Sequence, residues 1–331
     1  MISLNTTQCL AVAKSLNQLP VRNEFYNRDF LAFDADRETK LRIYLLAAAI
    51  CHQTHSLHHP KLNLWGWDYL EFGFLKMLQE RNVMLNPGYL SFCHDVDVES
   101  MLLAAFSPDG DPVNCTLDRI SERAGMLVDI CKLLKQEYGA KVSNLIDAAE
   151  GKLVNEGRGI YESLEQFIAF SDPLKKKITF FVKLACDAGV LYIRDQENIV
   201  PIMDYHMQRV LLRLGCVEIE DNRMRQDLLN KRKADSDTII RKACIDAVRI
   251  ISRESGHEIM KINDFFWPLG RSCCNVTTLC HDSACVKSPC TFQQVAAVIT
   301  HDNCYFEETC KGARDEKYRG LWEPQVITHF Y

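Results

Sequence analysis

The sequence has no apolar run of about 18 residues, the least that a membrane-spanning helix needs. Its first residues, MISLNTTQCLAVAKSL, lack the basic start and the apolar stretch of a secretory leader. These absences predict a soluble, cytoplasmic protein with no membrane partner. Alternating apolar and polar residues closed by Asn-Gly or Asp-Gly turns are almost absent, so little β-sheet is expected. Internal repeats, low-complexity tracts and long linkers are missing too. Nor is there an excess of cations: 39 Lys and Arg stand against 44 Asp and Glu, a formal charge of −5. Affinity for phosphate backbones comes from cations displacing counterions, so any nucleic-acid surface must be local.

What is present is a helical pattern. A chain of 331 residues can bury roughly three quarters of its unfolded surface, as one large or two interlocked domains. Apolar residues recur at helical spacing in LRIYLLAAAI (41–50), at Ile160, Leu164, Phe167 and Ile168, and in TFFVKLACDAGVL (179–191). Breaks fall at SPDGDP (107–112), EGRG (156–159), SDP (171–173) and the charged stretch 221–237. An all-α fold follows. The stretch 221–237 sets Arg223, Arg225, Lys231, Arg232 and Lys233 against four aspartates, which suits a solvated surface or a phosphate-facing rim. Lys175, Lys176 and Lys177 follow Asp172-Pro173, a helix-start signal, and precede the apolar TFFVKLA, so a lysine there can point into a cleft between helices.

The fifteen cysteines are unevenly spread. Eight, from Cys9 to Cys244, stand singly in apolar segments, as buried thiols do. The other seven crowd into residues 273–310 and point to a metal site. Within SCCNVTTLCHDSACVKSPC (272–290), Cys274, Cys280, Cys285 and Cys290 are separated by five, four and four residues, with Cys273 spare and His281, Cys304 and Cys310 as substitutes. Four thiolates so close in sequence can surround one metal centre. Structural zinc favours pairs two to four residues apart whereas cubane ligation accepts varied loops, so a [4Fe–4S] cluster is expected, with structural zinc as the alternative.

Several stretches resemble one superfamily. LLAAAICHQTHSL (45–57) resembles the opening helix of the helix-hairpin-helix DNA glycosylases, where a glutamine ends an apolar helix near the lesion pocket. KKITFFVKLA (176–185) and NIVPIMDYHMQRVLLRLG (198–215) resemble the archaeal 8-oxoguanine DNA glycosylases: a lysine seven residues before a second lysine, then Pro-x-x-Asp-Tyr and an arginine. DAVRIISRESG (246–256) and FFWPLGR (265–271) resemble the helices that follow. Gly270-Arg271 ahead of the cysteines resembles the four-cysteine iron–sulfur loop of endonuclease III relatives, whose gaps are six, two and five. The likeness is patchy over about residues 40–272.

The resemblance implies a two-lobed, helix-hairpin-helix glycosylase-like fold with a C-terminal metal-binding loop. Residues 1–87 and 201–331 would form an outer lobe and residues 88–200 an inner one. It implies a bifunctional N-glycosylase/lyase acting on DNA with an extruded, oxidised or modified purine of the 8-oxoguanine kind. Lys176 would attack the sugar C1′ and form a Schiff base. Asp204 would stabilise the positive charge that develops on the sugar, Gln53 would hydrogen-bond the base edge, and Trp267 would stack on its face. A lysine is a poor nucleophile at neutral pH unless burial or neighbouring cations, here Lys175 and Lys177, lower its pKa.

Simpler roles compete with these. By residue type Asp204 is a helix N-cap, which is compatible with the catalytic role because the helix dipole favours an ionised carboxylate. His52, His55, His58 and His59 read as surface or pocket-rim histidines, and Trp65 and Trp67 as core. The superfamily's Leu-Pro-Gly-x-Gly hairpin is absent, with SDPLKK (171–176) in its place. MDYHMQRVLLRLGCV (203–217) also resembles queuosine-nucleotide N-glycosylases, which share the fold and hydrolyse a free 7-deazaguanine nucleotide without a lysine. A third reading is a non-catalytic, metal-stabilised module that binds nucleic acid or a partner protein, in phage defence or base modification.

Overall fold

Helices dominate the residues that the computed structural model describes, 1–298 and 301–331. Among them are eighteen α-helices and two short antiparallel ribbons, so the all-α expectation holds. No helix is long and apolar enough to cross a membrane. The chain divides into two compact units, one of Met1–Asn27 with Val200–Ile327, the other of Arg28–Ile199 with Thr328–Tyr331. The expected boundary near residue 200 coincides with a change of unit, whereas the one at 87/88 falls inside the second unit. Residues 28–87 join that unit because they carry its central helix.

That helix, Arg37–Ala49, starts where Asp36 Oδ1 accepts the Thr39 N–H at 2.7 Å. Leu41 and every residue from Ile43 to Ala49 are buried, which marks a helix enclosed on all sides. Helices Trp67–Gln79, Ile120–Tyr138, Val142–Ala148 and Lys176–Asp187 surround it. Phe30 packs edge-on against Tyr44 and Trp67 at 5.4 and 5.6 Å, and Trp67 against Phe180 at 4.7 Å. Full burial of one such ring contributes roughly 1.5–3 kcal/mol. The helical pattern at 160–168 yields only helix Ile160–Leu164 and a single 3-10 turn, Ile168–Phe170, because the backbone at Phe167 is extended (φ −87°, ψ 135°).

Helix Lys176–Asp187 begins at the SDP break. Asp172 accepts the N–H groups of Leu174 and Lys176, each at 3.0 Å, so a carboxylate closes the turn where glycines were missing. Lys175 takes the left-handed conformation there, φ 59°, which costs a non-glycine residue roughly 1–2 kcal/mol.

In the first unit, strand Ile2–Leu4 pairs antiparallel with Val217–Ile219. Helix Thr6–Asn17 buries Cys9, Val12, Ala13 and Leu16, one stripe at helical spacing, against helix Thr238–Ser255. Helices Tyr205–Leu214 and Ile259–Pro268 complete the core. Helix Tyr205–Leu214 is buried continuously from Met207 to Leu214, Arg209 and Arg213 included. It ends at Gly215, whose φ of 80° and whose approach to Lys311, where a Cβ would meet Cδ at 2.4 Å, both require glycine. After Ile259–Pro268 the chain makes a π-helical turn, Leu269–Cys273, and enters the cysteine-rich segment.

Candidate functional site

The end of helix Arg37–Ala49 leaves backbone carbonyls without intrahelical partners, and cations take them up. The Lys177 amine donates to Ala49 O at 2.5 Å, and Arg123 donates to Ile50 O and, at 2.8 Å, to His52 O. Lys177 Nζ also lies 3.0 Å from His52 Nδ1, and His52 Nε2 lies 3.1 Å from a Glu122 oxygen. Burial, then the charges of Lys177, Arg123 and Arg119, hold His52 far below the ordinary histidine range. It is therefore neutral, with Nδ1 accepting from the lysine. Burial, reinforced by Lys176 and Arg123 but opposed by Cys51, brings the Lys177 amine down to about 7. His52 is wholly buried, which corrects its reading as a surface or rim residue; the apolar helix runs straight into it.

Lys176 differs from its neighbours. Its Nζ lies 3.5 Å from Cys51 Sγ and 4.9 Å from the centre of the Phe180 ring, and it makes no ion pair among the described residues. Lys175 is paired with Glu165, and Lys183, the second lysine of the motif, with Asp187 at 2.5 Å. Gln53 does not end the helix but sits in the following turn at φ 43°. Its Oε1 accepts from Arg119 at 3.0 Å and from the Thr328 N–H at 3.3 Å, and its own N–H donates to Tyr331 O.

In the other unit, Asp204 is buried and caps helix Tyr205–Leu214, Oδ1 accepting the Met207 N–H at 3.0 Å. The capping role expected from its residue type is thus present. Burial and the adjacent Asp204 push the Tyr205 hydroxyl well above its ordinary range. His206 lies against the Tyr205 ring at 4.3 Å and edge-on to Trp267 at 6.2 Å. Trp267 is half-buried, with the Arg271 guanidinium 4.8 Å from its ring. Asp204 and Trp267 thus share one unit, and Lys176 and Gln53 the other.

The same helix organises the cysteine segment. Arg209 donates to Glu323 at 2.6 Å, to Gly270 O at 2.8 Å and to Cys274 O at 3.0 Å. Arg213 donates to Leu321 O and Asn275 O at 2.9 and 2.8 Å, and both guanidinium groups lie over the Trp322 ring. Beside this frame four side chains converge: the thiols of Cys273, Cys285 and Cys290 and an imidazole nitrogen of His301 all lie within 4.8 Å of one another. Cys273 Sγ is 3.4 Å from Cys290 Sγ, and Cys285 Sγ is 3.9 Å from Cys290 Sγ and 3.1 Å from His301 Nε2. Hydrogen bonds from Cys273 and Cys285 pull the Cys290 thiol down to about 2. This group can hold a metal ion.

The convergent set differs from the expected Cys274, Cys280, Cys285 and Cys290. Cys285 and Cys290 belong to it, but Cys273 and His301 take the other two places. The π-helical turn explains the exchange. The Cys274 N–H bonds back to Leu269 O at 2.8 Å, and the chain leaves the turn at Cys274 (φ −120°, ψ 57°), so the adjacent cysteines are directed differently. Even spacing had made Cys273 look spare, and His301 lies eleven residues beyond the last expected ligand.

No protein-family model matches the chain, and no curated protein matches it either.

Proposed function

We propose that this protein is a DNA N-glycosylase with lyase activity on an oxidised or modified purine, built on a helix-hairpin-helix glycosylase-like fold, with Lys176 as nucleophile and Asp204 as the assisting carboxylate. The observation that carries the reading is the lysine pair at the head of helix Lys176–Asp187. One amine, Lys177, is committed to the helix end at Ala49 and held near neutrality. The other, Lys176, borders Cys51 and an aromatic face and is neutralised by no acid among the described residues. Covalent catalysis by lysine asks for an unpaired amine in a partly desolvated, cationic neighbourhood.

In the reaction the Lys176 lone pair forms a bond to the sugar C1′ while the N-glycosidic bond breaks. The base leaves with the bonding pair and takes a proton. Loss of the amine proton and ring opening give the imine, from which β-elimination cuts the strand. Asp204 supports the positive charge that builds on the sugar, while Gln53 and Trp267 are assigned to the edge and face of the base.

The metal we assign to Cys273, Cys285, Cys290 and His301 is zinc, in a structural role. Two sulfurs bound 2.3 Å from one tetrahedral ion lie about 3.8 Å apart, and the sulfur separations of 3.4 and 3.9 Å fit that value. A cubane binds each thiolate at a different iron corner, which needs wider spacing.

Hydrolysis of a free modified nucleotide is the second reading. It is favoured by Asp204 standing next to Tyr205 and His206 in the unit that holds Trp267 and Arg271, an acid, aromatic and cationic set that needs no lysine. Borohydride trapping on duplex and single-stranded oligonucleotides that carry 8-oxoguanine, a 7-deazaguanine base or an abasic site separates the two. Glycosylase/lyase action gives a covalent adduct in the wild type that Lys176→Ala abolishes. No adduct and no strand cleavage on any DNA, with Asp204-dependent hydrolysis of a free nucleotide, would replace it with the second reading.

A further inference from the structure

We infer that a second metal ion is bound by Cys274, Cys280, Cys304 and Cys310, a set interleaved in sequence with the first. These four are the cysteines of segment 273–310 that the group at Cys273, Cys285, Cys290 and His301 leaves over. They form two matched pairs, Cys274-x5-Cys280 and Cys304-x5-Cys310.

Three observations bring the pairs together. Cys274 and Cys310 meet at one residue: Arg213 Nη1 lies 3.5 Å from Cys274 Sγ, and Cys310 Sγ lies 3.4 Å from Arg213 O. Gly312 makes this possible, since a Cβ there would come within 3.0 Å of the same Arg213 carbonyl. Secondly, each pair is folded back on itself. Cys274 and Thr278 form an antiparallel bridge that turns the chain toward Cys280, and the Cys310 N–H bonds to Phe306 O at 2.7 Å, which closes the loop from Cys304. Thirdly, the charges of Cys274, Cys310 and Cys280 reach the Cys304 thiol, those of Cys274 and Cys280 reach Cys310, and that of Cys274 reaches Cys280.

The backbone is arranged for thiolates. The Cys304 sulfur accepts from the backbone of Phe306, and the Cys310 sulfur from Gly312 and Ala313, so amides two or three residues ahead cradle each sulfur. Four thiolates around a divalent ion leave two net negative charges. The Arg213 guanidinium at Cys274 and the Arg319 charge near Cys280 oppose them. A tetrahedral site with four sulfur donors and no open position is the structural zinc pattern. Along the chain the ligands run 273, 274, 280, 285, 290, 301, 304, 310, so the two sets interleave. The two sites therefore close together, and the neighbours Cys273 and Cys274 serve different ions.

The test is the metal content of the purified full chain, measured by plasma mass spectrometry against amino-acid analysis. Two zinc ions per chain are expected, falling to one in Cys304→Ser and, by loss of the other ion, to one in Cys285→Ser. Should either variant fail to fold, cobalt(II) titration of the metal-stripped wild type gives the answer: two equivalents with sulfur-to-metal charge-transfer bands, the stronger from the four-thiolate site. One metal per chain, with Cys274, Cys280, Cys304 and Cys310 open to alkylation in the native protein or paired as disulfides, would overturn the inference. So would iron with acid-labile sulfide in place of two zinc ions.

Discussion

Lys177 titrates from 10.5 in an exposed chain to about 7 in the fold, and the sign of its effect on stability follows. Above about pH 10 the amine is neutral whether the chain is folded or not. As pH falls from there to about 7, the unfolded chain takes up a proton that the folded one does not. Wild type should lose stability over that window relative to Lys177→Met by roughly 1.4 kcal/mol per pH unit, and no further below it. Urea unfolding of both proteins at pH 7, 8, 9 and 10 measures this; parallel curves would show that the buried amine does not titrate as described. Lys176 was legible as a candidate because its offset from Lys183 is a sequence property. The work of its neighbour was not. Only the fold reveals that Lys177 and Arg123 both serve the carbonyls at the end of helix Arg37–Ala49 and that His52 lies buried among them.

For the elements, Asp204 offers the sharpest separation of structure from chemistry. Its carboxylate caps helix Tyr205–Leu214, so Asp204→Ala should cost about 1 kcal/mol of stability. Asp204→Asn keeps a capping oxygen and should lie within about 0.5 kcal/mol of wild type. If Asp204 also supports the sugar cation, both variants lose base release. Thermal unfolding beside a single-turnover assay distinguishes the cases, and an Asn variant with full activity would leave Asp204 a cap alone. The cap could be read from the sequence, as could helix Arg37–Ala49, since both rest on local residue types and spacing. The turns could not. Asp172 closing the loop before Lys176, and the π-helical turn that parts Cys273 from Cys274, depend on backbone hydrogen bonds that leave no periodic trace. That is why two of the four ligands of the first group fell outside the regular spacing.

At the scale of the whole molecule, the metal segment lies within the unit of Met1–Asn27 and Val200–Ile327. Metal binding free energy is folding free energy where ligands are brought together only in the native state. A strong chelator should therefore raise backbone hydrogen exchange around helix Tyr205–Leu214 and residues 269–320, while helix Arg37–Ala49 keeps its protection. Unchanged exchange in both units after complete metal removal would show that the ligands hold together without an ion. The change near residue 200 coincides with a break before a capped helix, but nothing in the composition of residues 28–87 assigns them to the same body as 88–199. Their membership comes from the burial of one helix on all sides.

The central claim is that Lys176 forms a bond to the sugar, and its most direct test is to find that bond. Wild-type protein trapped with borohydride on an abasic or 8-oxoguanine oligonucleotide, digested with nuclease and protease, yields peptides whose masses locate the sugar remnant. The account predicts the remnant on the Lys176 amine, with none in Lys176→Ala. A remnant on another amine, or no remnant on any peptide from protein that still releases base, would contradict it.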